Sequence, residues 1–110
     1  MKVLFICSAN KDRSATVELL GQELWPNHQF ISAATNQKIC FQLGTQYINK
    51  ELMDWADIVF AMESKHKKEL IKLFGSSFSK KIKVLDIKDH YEYGNSNLKE
   101  ILKIKLQEYL

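Results

Sequence analysis

At 110 residues the chain is long enough for one packed domain and too short for two. Its 45% hydrophobic and 26% charged content is that of an ordinary soluble globular protein, so a buried core is expected. The charge excess is only +3, from 16 basic and 13 acidic residues, and the Lys-rich stretches Lys65 to Lys72 and Lys99 to Lys105 read as solvated faces with interleaved acids; without an aromatic-basic stripe, a nucleic-acid partner is not expected.

Two cysteines, Cys7 and Cys40, do not make a disulfide framework. The apolar run Val3 to Cys7 gives way at once to Asn10-Lys11-Asp12-Arg13, with no small-residue cleavage site, and no apolar stretch approaches membrane-spanning length. The expectation is a cytoplasmic protein with reduced thiols, no membrane partner and a monomeric state, organised as one domain over residues 1–110.

Short apolar runs alternate with amphipathic stretches along the chain. Lys2 to Ile6 reads as a buried strand, and Ser14 to Leu24 as a helix that Pro26 stops. Phe30 to Ala34 is a second strand candidate. Gln37 to Glu51 contains Gly44 and no clean period, and Leu52 to Trp55 closes a short helix. Asp57 to Met62 is a third strand. Ser64 is the expected cap of a helix that runs through Phe74 and ends at Gly75. Lys81 to Ile87 reads as a fourth strand, and Leu98, Ile101, Leu102, Leu106, Tyr109 and Leu110 mark a last helix. Strands alternating with helices predict an α/β, doubly wound fold with a four-stranded parallel sheet, order 2-1-3-4, and helices on both faces. In that order the connections leave strand 1 in opposite directions, opening a crevice at its carboxyl end where ligands bind. Cys7 stands at that end.

The segment Cys7-Ser8-Ala9-Asn10-Lys11-Asp12-Arg13-Ser14 joins this strand to its helix. A loop of this length can turn successive backbone N–H groups into one concavity completed by the helix N-terminus, which binds an anion and favours a thiolate. Arg13 supplies a planar fork for two phosphate oxygens, and Ser14 a donor for the Cys7 sulfur. Asn10 suits a left-handed turn. The bland alternative makes Cys7 an apolar strand cap and Arg13 a solvated cation. Arg six positions after Cys, followed by Ser or Thr, arises by chance on the order of once per hundred cysteines.

At these residues the sequence resembles the low-molecular-weight protein tyrosine phosphatases, whose signature is Cys, five residues, Arg, then Ser or Thr after an N-terminal strand, with Asn at the fourth position. Ser32-Ala33-Ala34-Thr35 resembles the family's Ser-Ala-Gly-Thr after strand 2, and Asp57 to Met62 its third strand. The chain is shorter than typical members, similar to a compact bacterial branch. The resemblance implies a phosphomonoester hydrolase, a protein-tyrosine phosphatase working through a phosphocysteine on Cys7, with Arg13 clamping phosphate and the loop residues Ser8, Ala9, Asn10, Lys11, Asp12 and Ser14 holding it. No cofactor or metal is implied. The substrate class is a phosphorylated protein or small aryl phosphate.

Cleavage of the ester needs an acid to protonate the leaving oxygen. By resemblance to the family's Asp-Pro-Tyr-Tyr stretch, that acid is Asp89, with Tyr91 a pocket wall; His90 replaces the proline and Glu92 the second tyrosine. Asp86 competes from three residues earlier. Ala9 stands where Gly is common, Asp12 where many members carry a second cysteine, and Ala15 at a common proline. Asp12 is expected to point away from the anion. The family's aromatic specificity residue has no clear counterpart in Asn36-Gln37-Lys38-Ile39, a place Phe41 can fill. Cys40 is expected in the core. Two rivals remain: a non-catalytic phosphate- or phosphoprotein-binding module, and an arsenate reductase of the same fold, which requires further cysteines to relay oxidation.

Overall fold

The computed structural model describes residues 1–9, 13–88 and 91–110. Its centre is strand β1, Lys2–Cys7, which pairs in parallel with β2 (Gln29–Ala34) on one side and with β3 (Ile58–Ala61) on the other; β4 (Ile82–Val84) extends the sheet beyond β3. The order is β2-β1-β3-β4, as the alternation of elements predicts. Val3 to Cys7 are all buried, and successive side chains alternate between two cores. Val3, Phe5 and Cys7 enter one, Leu4 and Ile6 the other, because a strand points neighbouring residues to opposite faces.

Helices α1 (Arg13–Leu24) and α5 (Ser96–Leu106) cover the first face, inserting Val17, Leu20, Leu98, Leu102 and Leu106. Helices α3 (Lys50–Trp55) and α4 (Ser64–Phe74) cover the second with Met53 and Leu70. The stretch without a clean period holds α2 (Gln37–Leu43) and the start of α3. Asn36 and Asn49 cap these helices, accepting from Ile39 N–H and Leu52 N–H at 3.1 and 2.8 Å, and Gly44 ends α2 in the left-handed region. Two amphipathic periods shorter than two turns, joined through a glycine, leave no single repeat to read.

Several boundaries differ from the sequence expectation, among them the end of α5 at Leu106, which leaves Tyr109 and Leu110 beyond the helix. The cap of α4 is Glu63 rather than Ser64, which is the first helical residue. Strand β3 is confined to four residues. Strand β4 is shorter than Lys81 to Ile87 because Ser76–Lys81 coil into a 3-10 helix and because Asp86 takes a left-handed backbone, φ 56°. Leu85 and Ile87 still donate N–H to the carbonyls of Ala61 and Met62 at 2.9 and 2.7 Å, but the turn between them ends the ladder. The strand exits after β1, β2, β3 and β4 therefore converge on one edge of the sheet, with β1 at the switch point.

Candidate active site

Cys7 closes β1 on the α1 side of the sheet, 2% exposed. Three consecutive carbonyls from this point are drawn toward the β2–α2 segment: Thr35 N–H donates to Cys7 at 3.0 Å, Asn36 N–H to Ser8 at 2.9 Å, and the Thr45 hydroxyl to Ala9 at 2.6 Å. In a trans peptide the C=O and the following N–H point oppositely. The amides of Ser8 and Ala9 are thereby turned away from β2 and α2, the sense an anion-binding concavity needs. Beside them, Thr35 Oγ1 is buried without a hydrogen-bond partner, a group that a water or an anion oxygen would satisfy.

The first turn of α1 is polar and buried, against the habit of helix starts. Ser14 is fully buried and its Oγ lies 2.9 Å from the Cys7 sulfur. Arg13 is 3% exposed, so the reading of a solvated cation is excluded. Its Nη1 donates to Glu63 Oε2 at 2.6 Å and to the Ile87 carbonyl at 2.8 Å. Both protons of Nη1 are used in this way. Burial pushes the Glu63 carboxyl up, but the Arg13 hydrogen bond and charge, with Lys65 3.7 Å away, outweigh it and hold the group below the usual carboxylate range. Thr16, also buried, accepts the Gly94 N–H at 2.9 Å and ties α1 to the loop ahead of α5.

Glu63 and His66 are neighbours of the candidate site that sequence reasoning missed. Both belong to the β3–α4 turn, 50 and 58 residues from their partners in the loop. His66 lies inside the Lys-rich stretch read as a solvated face, yet it is fully buried. Its Nδ1 accepts the Glu63 N–H at 3.0 Å, and its Nε2 lies 2.9 Å from Ser8 Oγ. The available signal was positional: Glu63-x-x-His66 follows the strand adjacent to β1, at the same sheet edge as Cys7.

Of the residues singled out in sequence, Cys7 and Ser14 are in contact, with Ser8, Ala9 and the buried Arg13 adjoining them in the chain. Asn10, Lys11, Asp12, Asp89 and His90 lie outside the described residues. Asp86 is exposed at its left-handed corner. Tyr91 packs against the α1–α5 core and, with Asp86, Ile87, Lys88, Ile101 and Lys105, lines a cavity of about 270 Å³. Phe41 projects from α2 with 90% of its surface exposed, on the element whose cap holds the Ser8 carbonyl. Cys40 is buried, its thiol directed to the Gln46 carbonyl at 3.7 Å.

A cysteine, a buried arginine and a helix N-terminus thus stand at the switch point of a doubly wound α/β sheet. No family model matches the chain. It is 32% identical over 93 residues to the low molecular weight protein-tyrosine-phosphatase PtpB of Staphylococcus aureus, a match taking in 68% of this chain and 66% of that protein. The chain thus spans 66% of the length of the curated relatives it matches. Among solved structures it is similar to Vibrio vulnificus Wzb in complex with benzylphosphonate, TM-score 0.78 at 19% identity, covering 98% of this chain and 95% of that one. It is also similar to a mutant of the YwlE arginine phosphatase with a phosphorylated active-site serine, TM-score 0.75 at 21% identity, covering 98% and 92%. The chain belongs to the low-molecular-weight protein-tyrosine-phosphatase family, a family of cysteine phosphatases.

Proposed function

We propose that this chain hydrolyses phosphomonoesters on proteins, phosphotyrosine foremost, through a phosphocysteine on Cys7. The observation that carries the reading is a buried Arg13, held by Glu63 and the Ile87 carbonyl and followed directly by Ser14, whose Oγ lies 2.9 Å from the Cys7 sulfur. The Cys7 thiolate attacks phosphorus while the loop amides and the Arg13 fork take the charge on the non-bridging oxygens. Asp89 gives its proton to the departing oxygen, so the alcohol leaves neutral. The same carboxylate then takes a proton from water, whose oxygen attacks phosphorus and breaks the S–P bond. Phosphate departs, the thiolate is restored, and Ser14 stabilises it as a hydrogen-bond donor. Arg13 and the backbone neutralise the phosphate without a metal.

Phe41, exposed on α2, supplies an aromatic surface for the group that carries the phosphate. Turnover of para-nitrophenyl phosphate by wild type, with loss in Cys7→Ser, is the expected result. Phosphate binding with no wild-type turnover overturns the enzyme reading in favour of a recognition module.

A further inference from the structure

We infer that His66 is a positioning residue of the phosphate loop, its Nε2–H holding Ser8 so that the amides after the nucleophile stay in phosphate-binding register; this rests on the reading of the site given above. The buried ring meets the Glu63 N–H through Nδ1 and Ser8 Oγ through Nε2. A nitrogen that accepts a backbone N–H carries no proton, so the proton of the neutral ring sits on Nε2 and is donated to Ser8.

That polarity excludes a Ser–His nucleophile pair. A general base for Ser8 would need an unprotonated Nε2 and a protonated Nδ1 held by an acceptor, and the wiring here is the reverse. Ser8 Oγ is an acceptor from His66 and keeps its own proton to donate. The carbonyls of Cys7, Ser8 and Ala9 are all held from the β2–α2 side. His66 braces Ser8 from the opposite side of the switch point, the β3–α4 side. A loop gripped from both sides has its ordering cost met before phosphate arrives.

Two substitutions separate this role from helix capping. H66N keeps an acceptor near the Nδ1 position, and so the α4 cap, but cannot reach Ser8. H66Q places an amide N–H near the Nε2 position and keeps the Ser8 contact. Inorganic phosphate binding is measured by calorimetry and para-nitrophenyl phosphate kinetics are followed in parallel, with urea midpoints checking the fold of each variant. The expected result is that H66N and S8A each weaken phosphate binding about tenfold and lower kcat/KM about as much. The double variant is no worse than either single one, and H66Q stays within about threefold of wild type. H66N behaving as wild type, H66Q failing as badly as H66N, or additive losses in the double variant would overturn the inference while leaving the phosphatase reading intact. Wild-type protein that neither binds phosphate nor turns over the ester overturns both.

Discussion

Nη1 of Arg13 lies 2.6 Å from Oε2 of Glu63, so the group proposed to clamp phosphate is itself held from the neighbouring strand exit. The second proton of the same nitrogen goes to the Ile87 carbonyl at 2.8 Å. Two acceptors, from the β3 and β4 exits, thus hold the guanidinium.

Glu63→Gln tests that arrangement in two ways. Removal of the charge loosens the fork, and kcat/KM on para-nitrophenyl phosphate falls about tenfold. Arg13 also loses this ion pair while buried, which costs roughly 1–3 kcal/mol, less than for a fully enclosed pair because Glu63 reaches solvent. The folded-state pKa of Glu63 is depressed. Its contribution to stability is therefore complete above the unfolded-state value and is lost as pH falls through the lower folded-state value. Urea midpoints of wild type and variant should differ most near neutrality and converge at strongly acidic pH; a constant gap would contradict the ion pair.

Arg13→Lys keeps the charge and loses the fork. A compact ammonium cannot bond Glu63, Ile87 and two phosphate oxygens together, so kcat/KM falls by about 100-fold or more. Steady-state kinetics beside phosphate binding would show both affinity and turnover affected.

Ser14→Ala removes the hydroxyl 2.9 Å from the Cys7 sulfur. Loss of one hydrogen bond to an ionised group lowers kcat about tenfold. In rapid-mixing experiments the deficit should fall on formation and breakdown of the phosphoenzyme, with substrate affinity changed less.

Asp89→Ala and Asp86→Gly discriminate the proton donor. Loss of the general acid lowers kcat by about 100-fold or more with phenyl phosphate, and less with the more acidic p-nitrophenol leaving group. Asp86→Gly relieves a left-handed backbone, φ 56°, and should raise stability by about 0.5–1 kcal/mol while turnover persists. The reverse pattern of activity loss would transfer the role to Asp86.

Gly21→Ala tests packing away from the site. A Cβ there would stand 2.8 Å from the ring of the buried Phe30, which stacks on Phe5 at 5.9 Å between centroids and must shift to admit it. Overpacking costs about 1–3 kcal/mol in the urea midpoint. The kinetic constants of the folded fraction should hold.

The sequence carried the parallel sheet because the strands announce themselves locally. Val3 to Cys7 is an unbroken apolar run, which only a strand covered on both faces requires. Its neighbours alternate with helical stretches, and chain handedness then leaves the order β2-β1-β3-β4 as the economical solution. Strand β4 was overextended because Leu85 and Ile87 keep the period-two burial of a strand after the backbone has left the ladder at Asp86. Periodicity reports which side chains are inside, not which backbone groups are paired. The same limit hid His66, whose burial no pattern within its own Lys-rich helix announces.

Cys7, Arg13 and Ser14 could be read from the chain alone because a phosphate loop is a local object, built from one strand end, a few amides and one helix start. Glu63, His66 and Ile87 could not, since their partners in the loop are 50, 58 and 74 residues away. Parallel strands bring their carboxyl ends to one edge, and only that juxtaposition places a helix-capping Glu and a His from a Lys-rich segment against Arg13 and Ser8.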